Sequence, residues 1–467
     1  MEGNYVGMSD YDGLTGFGLL PNAGMSADDL RKALSAGNQS PRHDGGSALR
    51  VESLEATLRV LTFSQGHMKL WKDIPKLPAF STSEEYTIQS SYGGESGAFT
   101  KEGELPQVQD AAYERRVEMI KFLGTQGEVT HPATLVRNAY GNIIARETQN
   151  RAIWLMMRIE RALFRGQASV IPDSFDGIDE QLMRDPFASA NNVIDLRGGP
   201  ITEDAIEEAT NVVVENYGIS SALYLAPRAQ SDMSKQFYSR QRGSFGQTDG
   251  RIGYSAKLME TNAGDIALRG NIFLRSGKEN SVKNAPTAAT SVRAPTAPTC
   301  SAASGANAAS IFGAADAGTY QYKVSALNRF GESAGVQEPG GVAVAAGDGV
   351  TLTITDGGGT DTATGYRIYR SKVGGAAGTE QFVLDVPRPT GAATTVFLDV
   401  NQWLPGMSRA YLLQMNLQSM SVRQLAPMMK IPLATLAASI RWMQLIYMTP
   451  ILYAPRKNVI FINVLDD

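Results

Sequence analysis

Residues 84 to 129 limit what this chain can fold into more than any other stretch. Tyr86 and Ile88 alternate along an outgoing extended run, Gly93, Gly94, Gly97 and Gly103 loosen a tip, and Tyr113, Val117 and Met119 lie on the return. The stretch also carries Glu102, Glu104, Glu114, Arg115, Arg116 and Glu118. A two-stranded ribbon this polar has no core of its own, and isolated ribbons are marginal in water. It must lean on a neighbour.

The segments around it are better supported. Pro132 to about Arg165 reads as one helix, with Pro132 suited to a first turn and Gly166 to a C-cap. About thirty residues at ~1.5 Å each make a strut of some 45 Å. Glu147 and Arg151 pair on its wet side, and Ile143, Ile144, Trp154, Leu155, Ile159 and Leu163 supply the buried side. Residues 201 to 275 read as a compact α/β unit. Thr202 caps a helix with the stripe Ile206, Ala209, Val213 and a stop at Gly218, Ala222 to Ala226 is a buried strand, and Arg228 to Ser239 is a second helix. Upstream, residues 1 to 46 form an arm rich in Gly, Asp and Asn, with one short helix from Ser26 to Gly37. Ser47 caps another helix with the stripe Leu54, Leu58, Leu61, and Asp73 to Pro78 is extended because each proline disfavours helix before it.

Composition shifts near residue 285. After the linker-like Ala294-Pro295-Thr296-Ala297-Pro298-Thr299, the chain to about Gly406 is rich in Ala, Gly and Thr, with alternating Tyr320, Tyr322, Val324, then Val350, Leu352, Ile354, then Tyr366, Ile368. Short strands every ten to fifteen residues indicate a β-sandwich. From Tyr411 the chain is again apolar, in a mixed helix and strand pattern that ends in a central strand, Val459 to Val464. Ile431 to Ala454 has the length of a membrane span, but Pro432, Arg441 and Pro450 make it a soluble core segment.

Chemistry is sparse. Cys300 is the only cysteine, and His43, His67 and His131 are scattered, so disulfide and zinc chemistry are poor bets. A net charge of -4 argues against a dedicated nucleic-acid binder. No P-loop occurs, and Gly13, Gly16 and Gly18 do not have the dinucleotide spacing. His131 opens a helix and reads as a capping or packing residue. Glu102 and Glu104 read as solvated charges, and Trp442, Met443 and Tyr447, at helical spacing, as core. The expectation is no catalytic, cofactor or metal site, and a protein built to contact copies of itself, each unburied apolar face worth ~25 cal/mol per Å² when covered by another subunit.

The order of segments resembles tailed-bacteriophage, myovirus-type major capsid proteins with the Hong Kong 97 (Johnson) fold. The residues that carry the likeness are Leu70-Trp71-Lys72-Asp73-Ile74-Pro75, Tyr113-Glu114-Arg115-Arg116, Lys121-Phe122-Leu123-Gly124-Thr125 and Val129-Thr130-His131-Pro132-Ala133-Thr134-Leu135-Val136, within a match over about three quarters of the chain. The remaining quarter resembles an immunoglobulin-like or fibronectin type III module through Gly318 to Ala326, Gly331-Glu332-Ser333 and Gly365 to Arg370, without a cysteine pair and with its strand motifs permuted.

The resemblance implies an α+β capsid fold with an inserted all-β immunoglobulin-like sandwich. Residues 1–70 would form the N-terminal arm and helices, 71–130 the extended loop, 131–166 the spine helix, and 167–284 the peripheral and axial α/β part. The insertion would span 285–406, and 407–467 would complete the axial domain and return to the peripheral one. It implies a homo-oligomer of hexamers and pentamers forming an icosahedral or prolate head around double-stranded DNA, with portal, scaffold and decoration proteins as partners, no cofactor and no membrane. The loop would reach a neighbouring subunit, making Trp71, Lys101, Glu102, Glu104, Arg115 and Arg116 candidate inter-subunit contacts. Tyr320, Tyr322, Val324, Tyr366 and Ile368 would be the core of the insertion. Some relatives crosslink a loop lysine to an asparagine, for which Lys101 and Asn458 are the formal counterparts. To residue 60 the arm has five basic and eight acidic residues, so enclosure of DNA would be steric. Two other readings stand beside this one: an encapsulin-like compartment shell, and a sandwich that binds host glycans through exposed aromatics such as Tyr369 or Trp403.

Overall fold

The computed structural model describes residues 62, 64–94, 97–136, 141–185, 190–238, 257–274, 284–434 and 437–465. Contacts divide the chain into Met1–Leu61 with Arg137–Gly141, and Thr62–Val136 with Asn142–Asp467. All but Gly141 of the first unit, including the arm, its acidic charges and the helices read at Ser26 and Ser47, lies outside the described residues.

The second unit is built on a six-stranded sheet in the order Val193–Asp195, Val459–Val464, Ser408–Leu413, Ala222–Leu225, Gly264–Gly270, Leu258–Thr261. The run Ala222–Leu225 is buried throughout because both faces of the sheet are covered. Side chains alternate: Leu223, Leu225, Ala410 and Leu412 join a cluster with the helices Glu203–Glu215 and Pro227–Tyr238. Tyr224 and Tyr411, directly opposite one another, face the long helix and meet Phe164 there. Thr202 caps the first of these helices by accepting from the Ala205 amide.

The long helix runs Ile143–Arg165, 23 residues or ~35 Å, and is shorter than the spacing predicts. His131–Leu135 is a separate short helix. Val136 is extended and Gly141 takes φ 85°, a left-handed value suited to glycine, so the backbone turns out of the helix before Asn142 recaps it by accepting from the Ile144 and Ala145 amides.

A second, four-stranded sheet has the order Lys76–Pro78, Met420–Pro432, Ser439–Leu452, Lys121–Thr130. The region read as mixed helix and strand is therefore strand, and Trp442, Met443 and Tyr447 sit on one strand rather than on a helix. The ribbon is also shorter than 84 to 129: Ser83–Ser91 pairs with Ala112–Met119, and the return run then enters this sheet beside Ser439–Leu452.

Residues 299–399 form two larger sheets around one core, beside the two-stranded pair Gly318–Tyr320 and Val342–Val344. Thr394–Asp399, Asp348–Thr355 and Thr299–Ala306 make one; Gly331–Glu332, Tyr322–Asn328, Gly365–Arg370 and Gln381–Pro387 make the other, with Val336–Gln337 also on Tyr322–Asn328. Tyr320, Tyr322, Val324, Tyr366 and Ile368 are all buried in that core with Val350, Leu352 and Ile354. The chain leaves the six-stranded sheet through the turn Ile272–Leu274, which lies against Ser408–Leu413, where it comes back. Among the described residues no helix is long and apolar enough to cross a membrane.

Candidate assembly surface

The ribbon is held at its foot and bare at its tip. Alternation puts Arg115 and Arg116 on opposite faces. Arg116 forks onto buried Asp185, with Nη2 donating to Oδ1 at 3.2 Å and Nη1 to Oδ2, while its Nε donates to Glu114 at 2.9 Å. These acids hold its guanidinium above its ordinary range. Tyr86 stands edge-on to Tyr453 at 5.1 Å, and burial, followed by the charge of Glu118, pushes its phenol up to about 12. Arg423 reaches Glu84 at 3.4 Å and donates from Nε to the Tyr453 hydroxyl at 3.0 Å. A polar cavity of about 300 Å³ remains at the foot, lined by Tyr86, Glu114, Arg116, Glu118, Arg184 and Asp185.

Arg115, on the other face, pairs with Glu85 in solvent, a contact of little energy. At the tip Phe99, Leu105 and Val108 are 100%, 93% and 84% exposed. Lys101, Glu102 and Glu104 are exposed beside them in one turn, closed by the Glu104 amide on the Lys101 carbonyl at 3.0 Å. Lys101, Glu102 and Glu104 thus share one place, and Arg115 and Arg116 lie apart from it. Trp71 is elsewhere: it packs half-buried against the central core, with the Lys76 ammonium 4.5 Å from its ring centroid.

Two side chains that the sequence reading passed over hold this surface in place. Asp185 receives the ribbon, and Glu160 ties the segment before it to the long helix. Glu160 is fully buried and accepts from the Lys69, Leu70 and Trp71 amides and from Asn271 Nδ2 at 2.7 to 3.0 Å. Burial pushes its carboxyl up against the pull of those four donors. An acid next to Ile159 on an otherwise apolar helix stripe was the available signal.

Other sequence candidates fall away. Asn458 is fully buried, its Oδ1 accepting from the Gln414 amide and its Nδ2 donating to Ser419 and Ala454, so it offers no amide to an incoming lysine. His131 is exposed in the first turn of its short helix. Tyr369 is buried with its hydroxyl on Glu332, and Trp403 is half-buried under the Arg409 guanidinium, 4.4 Å from its ring centroid. Neither is the exposed aromatic that glycan binding required. Among the described residues no group of three His, Cys, Asp or Glu is placed to hold a metal ion.

The ribbon is thus anchored at its foot and carries an apolar and acidic tip that a single copy leaves bare. Sequence relationships add to this picture. The family model of the SU10 major capsid protein matches residues 84–285. Major capsid proteins of Staphylococcus phages S25-3 and K are each 25% identical over 426 residues, covering 88% of this chain and 89% of theirs. Among solved structures, the capsid of a native GTA particle aligns at 9% identity over 90% of this chain and 97% of that one, with a TM-score of 0.46. The resemblance to phage major capsid proteins read from the sequence is borne out by these relatives, to which the chain is similar over most of its length.

Proposed function

We propose that the chain is the repeating subunit of a phage head, placed in pentamers and hexamers around double-stranded DNA, with the ribbon tip lapping onto the adjacent copy. The observation that carries this is the exposure of Phe99, Leu105 and Val108 on a ribbon whose foot is fixed by Arg116 and Asp185. Apolar side chains held out from a rigid base gain only when a second molecule covers them. The four-stranded sheet with the long helix would be the peripheral part, the six-stranded sheet with its two helices the axial part, and residues 285–406 an immunoglobulin-like insertion on the outer surface. Adjacent exit and return points at Ile272–Leu274 and Ser408–Leu413 favour that placement, since a compact insertion is tolerated best on an exposed connection. Portal, scaffold and decoration proteins would be its other partners, and no reaction is assigned to it.

Electron microscopy of the purified protein, with and without residues 97–109, tests the reading. Closed particles from the full chain and none from the deletion are expected. A monodisperse monomer at high concentration from the full chain would overturn it.

A further inference from the structure

Arg158, Arg161 and Arg165 succeed one another at three and four residues along the long helix, which puts them on one face. Arg158 is exposed, and Arg161 and Arg165 are half-buried on the same face. Arg367, on the sandwich strand Gly365–Arg370, lies near enough for its charge to act on Arg158 and Arg161.

The nearby acids each hold another arginine, although the buried Oδ1 of Asp179 has no hydrogen-bond partner. Asp385 accepts from Arg367 Nε at 2.6 Å and Nη2 at 2.9 Å, Glu332 accepts from Arg367 Nη1 at 2.7 Å, and Asp179 pairs with Arg409. Among the described residues, Arg158, Arg161 and Arg165 have no ion-pair partner, and the buried Nε of Arg165 has no acceptor. Burial, then the charges of Arg158, Arg367 and Arg165, push the Arg161 guanidinium down to about 9. Like charges gathered away from water raise one another's cost, and an anion in their midst removes it.

We infer that this arginine face of the long helix, beside the sandwich, is an anion site, filled in the shell by the carboxylates of Glu102 and Glu104 from the ribbon tip of a second copy. The inference rests on the chain being a shell subunit and names the receiving site. The tip has the complementary charge: both glutamates are exposed and without an ion-pair partner among the described residues. It also has the complementary apolar surface. Phe99 and Leu105 flank the acids, and Trp154, 39% exposed with the Arg158 guanidinium 5.2 Å from its ring centroid, stands beside the arginines.

The test uses the full chain with Arg161→Gln, Arg161→Glu and the pair Glu102→Lys with Glu104→Lys, reading the unfolding midpoint of the unassembled subunit and the critical concentration for assembly. Arg161→Gln should leave the subunit midpoint unchanged or raise it, because it removes an unpaired charge, while raising the critical concentration about tenfold or more. The lysine pair should raise it similarly, and combining that pair with Arg161→Glu should recover most of the loss. A lowered subunit midpoint in Arg161→Gln, or no recovery in the combination, overturns the inference. So does protection of the wild-type subunit by inorganic phosphate together with normal assembly of the lysine pair, which would make the arginine face a free-anion site. Particles that form equally well from every variant sink this inference alone; a wild type that forms none sinks the shell reading with it.

Discussion

Replacing Glu160 by alanine should release the segment that leads into the ribbon. Four donors converge on this carboxylate, and two of the hydrogen bonds, from the Leu70 amide and from Asn271 Nδ2, are buried away from water. The amides of Lys69 and Trp71 are only partly buried and regain solvent when the acceptor goes. Two orphaned buried donors at ~1 to 3 kcal/mol each give a loss of about 2 to 6 kcal/mol. The lower half of that range is favoured, because a desolvated carboxylate is removed as well. Glu160→Gln keeps one carbonyl oxygen but turns an NH₂ toward one set of donors, so about half the loss is expected. The sign of the pH dependence comes from the raised carboxyl. Between the ordinary glutamate range and its raised value the folded state binds more protons than the unfolded one. The wild type's advantage over Glu160→Gln therefore shrinks as pH rises through that window. Urea unfolding of the unassembled subunit reads the midpoint, and amide exchange at Leu70 and Trp71 reads the local release. An unchanged midpoint for Glu160→Ala with slow exchange at both amides would refute the reasoning, and an advantage that grows with pH would refute the charge argument.

Three other outcomes are set by the geometry. Asp185→Asn breaks the fork that holds the ribbon foot, at about 1.5 to 3 kcal/mol for hydrogen bonds to a charged group, and should speed protease cleavage within Ala112–Met119 severalfold; an unchanged cleavage rate would show that Arg116 is not the anchor. Cys300 is buried, with its thiol pushed up to about 11, so at pH 8 it should react with thiol reagents only when the sandwich opens. Asp399→Asn, which strands fully buried Arg370 at roughly 3 to 5 kcal/mol, should accelerate that labelling, and fast labelling of the wild type would count against a closed sandwich core. Replacing residues 290–404 by a short linker should leave particles forming, checked by microscopy; failure to assemble would place the sandwich inside the shell contacts.

What the sequence made legible was whatever depends on near neighbours in the chain. Thr202 before an acidic turn, Pro227 after an apolar run and alternation in the sandwich each settle an element locally, and those elements stand where they were read. The break between His131–Leu135 and Ile143–Arg165 was legible too, in Gly141-Asn142, but the apolar spacing continues across it and masked the cap. Trp442, Met443 and Tyr447 fit a helical period as well as a strand; pairing with Lys121–Thr130, more than three hundred residues upstream, decides for strand. There the ring of Trp442 lies where a Cβ on Gly127 would come within 2.5 Å, a fit no local pattern announces.

Charge is the hardest thing to read in advance, because what an arginine does depends on which acids other elements have already claimed. Arg115 and Arg116 are adjacent and chemically alike, yet one faces solvent and the other is spent on Asp185, nearly seventy residues away. Arg161 drew no notice as one of several cations on a long helix. Its position becomes consequential only because Arg367 has taken both Asp385 and Glu332. An assembly protein thus shows its function in what folding leaves over, and the remainder is computable only after the intramolecular pairs have been assigned. Glu102 and Glu104 on one side, and Arg158, Arg161 and Arg165 on the other, are such a remainder: equal in kind, opposite in sign, and unpaired within the described residues of a single copy.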